Sequence, residues 1–191
     1  MRLLLLALIS FTLFSCQHSP NKNYYLLTAP VAQQSQTTTP EINNLIGIGP
    51  IEVADYLDRL HIIYQTNDNS VVVADNEYWA EPLDKGIPRV IALNLSQRDS
   101  SRTFVTFPWR TDSAPHYSIR LNIHSMSRTT TDANINATWE IFDNIKKVNV
   151  ERHYFNQSSP AKNDVKSLTK AYSDLFAKMS GDIDAALTRL K

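Results

Sequence analysis

Tyr117-Ser118-Ile119-Arg120-Leu121-Asn122-Ile123-His124 alternates apolar and polar side chains without a break. A period of two puts Tyr117, Ile119, Leu121 and Ile123 on one face of an extended chain and Ser118, Arg120, Asn122 and His124 on the other. Ile135, Ala137, Trp139 and Ile141 repeat the pattern, and Val148, Val150, Arg152 and Tyr154 repeat it more weakly. Polar turns separate the three runs, so this stretch predicts an antiparallel meander with one face buried and one wet.

Downstream, Val165, Leu168, Tyr172, Leu175, Phe176, Met179, Ile183, Leu187 and Leu190 recur at helical spacing. They predict a long amphipathic helix, capped at Asn163 or Asp164 and packed on the sheet, with Gly181 weakening it near its end. Upstream, Ile87, Val90, Ile91, Asn94 and Leu95 predict a second helix of about three turns from Asp84, with Pro88 in its first turn. Residues 102–107 return to strand character. Residues 61–65 and 70–74 form a hairpin around Thr66-Asn67-Asp68-Asn69. Residues 45–53 read as a strand in which Gly47, Gly49 and Pro50 require a bulge or a close backbone approach. Tyr24-Tyr25-Leu26-Leu27 is a further strand, joined to the rest by residues 29–44, a Gln-, Thr- and Pro-rich connection that can bury little apolar area. The expected fold is a single α+β (or α/β) domain over residues 24–191. It has a mixed, largely antiparallel sheet, with the long C-terminal helix and the shorter central helix packed on it.

Composition narrows the function. Lys plus Arg and Asp plus Glu each number 19 in 191 residues, with no run of either sign, which argues against a nucleic-acid partner. The single cysteine, Cys16, rules out an intrachain disulfide, so packing must supply the stability.

The N-terminus adds an address. Met1-Arg2 begins it, an apolar stretch runs from Leu3 to Phe14, and Ser15 precedes Cys16. That stretch is shorter than the roughly 20 residues a membrane-crossing helix needs, so residues 1–15 read as a cleavable signal peptide and residues 16–23 as a tether. Leu13-Phe14-Ser15-Cys16 resembles the bacterial lipobox, in which the cysteine sulfur takes a diacylglycerol and the new amino terminus a further, palmitate-type acyl chain. Two or three such chains make release from a membrane negligible, since each buried methylene contributes about 0.8 kcal/mol. Cys16 is followed by Gln17, not by the aspartate that retains many lipoproteins at the inner membrane. The resemblance therefore implies the periplasmic face of the outer membrane.

No catalytic signature stands out along the chain. It contains neither G-x-S-x-G nor a P-loop, and Gly47, Gly49, Gly86 and Gly181 cannot form a dinucleotide fingerprint. His18, His61, His116, His124 and His153 lack the i, i+4 spacing that pairs metal ligands on a helix. His124 and His153 fall on predicted wet strand faces. The expectation is a protein that is not an enzyme and holds no cofactor or metal. Two segments carry interaction chemistry instead: Ala54-Asp55-Tyr56-Leu57-Asp58-Arg59 and Glu77-Tyr78-Trp79-Ala80-Glu81-Pro82-Leu83. Large aromatics beside arginine are what binding hot spots favour, which marks Tyr56, Leu57, Arg59, Trp79, Glu81 and Pro82 as candidate partner contacts. The competing reading has Tyr56 and Trp79 filling the core while Arg59 and Glu81 fix loops.

These segments fall in an ordered series: the lipobox, Tyr24-Tyr25-Leu26-Leu27, Ile46-Gly47-Ile48-Gly49-Pro50, Tyr56-Leu57-Asp58-Arg59, Trp79-Ala80-Glu81-Pro82-Leu83, and Arg89-Val90-Ile91 leading to Asn94-Leu95. In that order the chain resembles the ABC-type transport auxiliary lipoproteins, the family of paraquat-inducible protein C. It departs where the family often has prolines around Tyr-Leu-Asp-Arg, since Ala54 and Leu60 stand here. The resemblance implies a periplasmic accessory to an intermembrane lipid-transport system built on mammalian-cell-entry (MCE) domain proteins. Its partners would be the MCE protein, that protein's inner-membrane component and further copies of the chain in a ring. A different class stays open, a carrier that encloses a lipid or small molecule between sheet and helix. An enclosed cavity would favour the carrier, and a filled core with an exposed aromatic patch would favour docking.

Overall fold

A computed structural model of the chain describes residues 20–30, 45–66 and 68–190. Residues 1–19, which hold the expected signal peptide, Cys16 and the first half of the expected tether, lie outside these residues, as does the connection from residue 31 to 44. The strands are β1 (Asn23–Tyr25), β2 (Leu45–Val53), β3 (His61–Gln65), β4 (Val71–Trp79), β5 (Thr103–Thr106), β6 (Tyr117–Arg128), β7 (Asp132–Asp143) and β8 (Val148–Pro160). The helices are α1 (Leu83–Arg98) and α2 (Val165–Arg189), with short 3-10 turns at Asp55–Leu57 and Thr111–Ser113.

The predicted meander is the spine of an 8-stranded mixed sheet. β6 pairs antiparallel with β7, and β7 with β8, over the longest ladders of the molecule. The other edge of β6 takes two strands in succession: β2 runs parallel to its first half and β3 meets its far end at Gln65↔Ser127. Between them the chain makes the 3-10 turn Asp55–Leu57. β5 lines the outside of β2, β4 pairs antiparallel with β3, and β1 lies parallel on β4. Partner choice of this kind depends on contacts distant in sequence, and alternation does not encode it.

β2 is bulged where its glycines predicted, with the register shifting between Ile48 and Ile51. Both glycines have a steric reason. A Cβ on Gly47 would lie 2.7 Å from Trp109 and Pro115, and Gly49 has φ +123° with Phe107 Cβ 2.6 Å from where its own would be. The segment after β5 thus folds back across β2.

Helices cover one face of the sheet. Ile48, Ile119, Ile123, Ile135, Trp139 and Ile141 meet Ile87, Ile91 and Leu95 of α1 and Leu168, Tyr172, Phe176 and Met179 of α2, all buried. Each contributes roughly 1.5–3 kcal/mol of transfer free energy. Asp164 caps α2, accepting the Ser167 N–H at 2.7 Å, and the helix continues through Gly181 to Arg189. Buried Arg102 ties the two helix ends together, bonding Asp184 at 2.8 Å and Asp99 at 3.2 Å. The opposite face of β6 to β8 presents Arg120, Asn122, His124, Thr138, Glu140 and Arg152 around an open depression of about 360 Å³.

Three expectations need correction. α1 begins at Leu83 and spans 16 residues, so Pro88 lies in its second turn and removes the hydrogen bond to Asp84. In β8 the inward residues are Phe155 and Ser159, whereas Arg152 and Tyr154 stand on the open side opposite Glu140 and Thr138. A register shift at Val150 and the strand's position at the sheet edge blur its pattern. His153 consequently stands on the Trp139 side of the sheet and not on the Arg152 side; it is exposed, as expected, and stacks on buried Trp139 with ring centroids 4.5 Å apart.

Candidate functional site

The two segments singled out by interaction chemistry fold to one corner, where β1 enters the sheet. β1 adds to the end of β4 in the register Asn23↔Glu77, Tyr24↔Tyr78 and Tyr25↔Trp79. Backbone bonds lock the crossing: the Trp79 N–H donates to the Leu60 carbonyl at 2.6 Å and the Ala80 N–H to the Tyr25 carbonyl at 2.8 Å. The corner therefore joins three stretches of chain and is also the point at which the described N-terminal segment enters the sheet.

Its inward side is core. Trp79 is 3% exposed and Leu57 2%, so neither offers a partner a surface in this conformation. Tyr56 is half-buried, and its hydroxyl accepts the Met126 N–H at 3.2 Å. Burial pushes its phenol above the ordinary tyrosine range. Tyr25 packs against the core as well, and burial, followed by a hydrogen bond to Glu77, raises its pKa to about 12. Glu81 fixes a loop: it accepts Arg89 Nε at 2.8 Å while Arg89 Nη2 donates to the Leu27 carbonyl at 2.8 Å. One guanidinium thus pins the N-terminal segment to α1, a use that the motif residues Glu81 and Arg89 did not reveal until eight positions of separation became one contact. Pro82, exposed, stands at the N-cap position of α1. Arg59 is exposed on the turn before β3.

The outward side holds residues that the sequence did not mark as candidate contacts. Tyr24 stacks on Tyr78 with centroids 5.5 Å apart, Tyr78 tilts against His61 at 4.5 Å, and Lys22 Nζ sits 5.5 Å from the Tyr78 ring centre. Leu26 and Leu60 add exposed apolar surface at 48% and 49%. The period-two series Lys22, Tyr24, Leu26 was the available signal, but it is too short to stand out.

Chemically, the corner stacks rings, places cations and shows backbone pinning; it does not assemble a nucleophile with a base. Among the described residues no group of three or more His, Cys, Asp or Glu could hold a metal, and no helix is long and apolar enough to cross a membrane.

The chain resembles known proteins in both sequence and fold. It is 42% identical over 77 residues to the intermembrane transport lipoprotein PqiC of Escherichia coli K12 and, equally, to that of Shigella flexneri, a match covering 40% of this chain and 40% of each relative. The match thus spans less than half the length of the curated relatives. Among solved structures, an uncharacterised protein superimposes with a TM-score of 0.71 at 21% identity, covering 88% of this chain and 99% of that one. A protein of Xanthomonas campestris does so with a TM-score of 0.65 at 12% identity, covering 84% and 92%. These likenesses establish the fold alone. The family model for the ABC-type transport auxiliary lipoprotein component matches residues 24–184, from β1 through most of α2, and the chain belongs to that family.

Proposed function

We propose that this protein is an outer-membrane-anchored periplasmic lipoprotein subunit of an MCE-type intermembrane lipid-transport system, in which it docks or stabilises the transport complex. The family match over residues 24–184 carries the reading. The relatives' designation as intermembrane transport lipoproteins supports the two-membrane setting. Residues 1–15 act as a signal peptide and Cys16 carries the lipid, which makes location part of the role.

The fold favours docking over carriage. Trp139, Tyr172, Phe176 and their neighbours fill the layer between sheet and helices at 0–2% exposure, where a carrier would keep room for its ligand. The contact surface is centred on exposed Arg59 and Pro82, with half-buried Tyr56 and Glu81 at its rim and buried Leu57 and Trp79 shaping it from beneath.

Fractionation of cells tests the anchor: the native protein should co-sediment with outer membranes, and Cys16→Ala should release it to the soluble periplasm and abolish its contribution to transport. A Cys16→Ala protein that stays membrane-bound would refute the anchoring. A photoreactive residue introduced at Arg59 or Pro82 should cross-link to an MCE-domain protein; adducts with lipid alone would favour the carrier.

A further inference from the structure

We propose that the outward side of the tether corner, formed by Lys22, Tyr24, Leu60, His61 and Tyr78, rests on the bilayer into which the Cys16 lipid inserts, and so sets the tilt of the domain on the membrane. The inference rests on the lipid anchor described above and adds a second, non-covalent contact to it.

Chain length carries the first half of the argument. Only residues 17–21 separate Cys16 from Lys22, and fully extended they span about 20 Å. Whatever stands at the root of this tether is held within that distance of the acylated cysteine. The structure puts at the root an exposed aromatic and aliphatic surface: Tyr24 at 61% exposure, Leu26 at 48% and Leu60 at 49%, with Tyr24 on Tyr78 and Tyr78 against His61.

Chemistry carries the second half. A tyrosine ring has an apolar body and a polar tip, which suits the boundary between hydrocarbon and water. Lys22 lies with its ammonium over the Tyr78 ring, 5.5 Å from its centre. Long basic side chains at this depth keep their stems in apolar surroundings and their charge among phosphates. Buried in a protein interface this ammonium would need a carboxylate partner, whereas a phospholipid surface supplies phosphates along its whole extent. The patch is too small to hold the protein by itself. Its effect is on orientation, since a lipid on a short chain fixes position and leaves rotation free.

Cys16 is the only native cysteine, so once lipid occupies it an introduced thiol is unique. Lipidated full-length protein carrying Leu60→Cys, Tyr24→Cys or Asn156→Cys can be labelled with an environment-sensitive fluorophore on phosphatidylethanolamine–phosphatidylglycerol vesicles. Asn156 is exposed on β8, at the opposite edge of the sheet, five strand spacings or about 24 Å from β1. The labels at residues 60 and 24 should shift to the blue, lose most of their emission to a lipid-dissolved quencher and resist an aqueous one. The label at 156 should do the reverse. Protein that floats with vesicles while the 60 and 24 labels remain open to the aqueous quencher overturns the inference and leaves the anchor standing. Protection of those labels from both quenchers assigns the patch to a protein surface and also overturns it. Failure of the protein to float, with no lipid mass on Cys16, removes the anchor and this inference together.

Discussion

Tyr78 and Trp79 are neighbours in β4, Tyr24 and Tyr25 are their partners in β1, and the two pairs live in opposite environments. Tyr25 and Trp79 turn toward the helices, where Trp79 is 3% exposed; Tyr24 and Tyr78 turn away, and Tyr24 is 61% exposed. Tyr24 and Tyr25 are the same residue type, yet they fall on opposite sides. Strand alternation, not residue type, decides which serve as core and which as surface. At this edge of the sheet no described element covers the outward pair, so an aromatic surface is left where the N-terminal segment enters.

The comparison is broken most severely by truncating the inward ring. Trp79→Ala should cost about 3–5 kcal/mol in urea denaturation, through lost burial and the cavity left behind. A loss no larger than that of an exposed substitution would return Trp79 to the list of contact residues.

The acid limb of stability sharpens the same distinction at the buried end of β7. Asp143 accepts the N–H groups of Lys146 and Ile145 and faces His116, and these contacts, the Lys146 N–H foremost, hold its carboxyl below the ordinary aspartate range. A depressed folded-state pKa contributes stability that is fully present above the unfolded value and lost as pH falls through the folded one. Thermal stability should therefore decline on acidification below the usual carboxylate range. Asp143→Asn should flatten that part of the profile, and an unchanged profile would contradict the assignment.

Glu81→Ala removes the carboxylate that orients Arg89. Both side chains are partly exposed, so the loss should be about 1–2 kcal/mol, with faster amide exchange concentrated around Leu27 and Ala80. The smallest change belongs to the outward face: Tyr24→Ser should shift stability by no more than about 0.5 kcal/mol. A loss as large as that of Trp79→Ala would make the outward stack structural and remove the contrast between the two faces.

How far the sequence could be read follows from the same logic. β7 along its whole length and β6 as far as Ile123 were legible because each is covered on one face and open on the other, and that writes a period of two; past Ile123 a bulge shifts the parity of β6, so that Met126 is its next buried residue. The stripe of α2 was legible for the equivalent reason at period 3.6. β8 was recognised as a strand, but its faces were misassigned because an edge strand is not obliged to keep its apolar residues inside, and the shift at Val150 reverses parity partway. Partner choice for β2 and β3 was hidden, since both use one edge of β6 and the decision is made across long loops. At the corner, motif order picked out two segments that meet in the fold, and the competing reading of Trp79 and Glu81 as core and loop-fixing residues describes their positions. The outward cluster escaped because Tyr24 and Tyr78 become neighbours only through a pairing that spans 54 positions of sequence.

Capture of the native lipidated protein from cross-linked cell envelopes, followed by mass spectrometry of the proteins and lipids retained, tests docking at the outer membrane most directly. The account predicts an MCE-domain protein cross-linked to this chain, lost when Arg59 and Pro82 are replaced together. Recovery of stoichiometric lipid with no protein partner would contradict it.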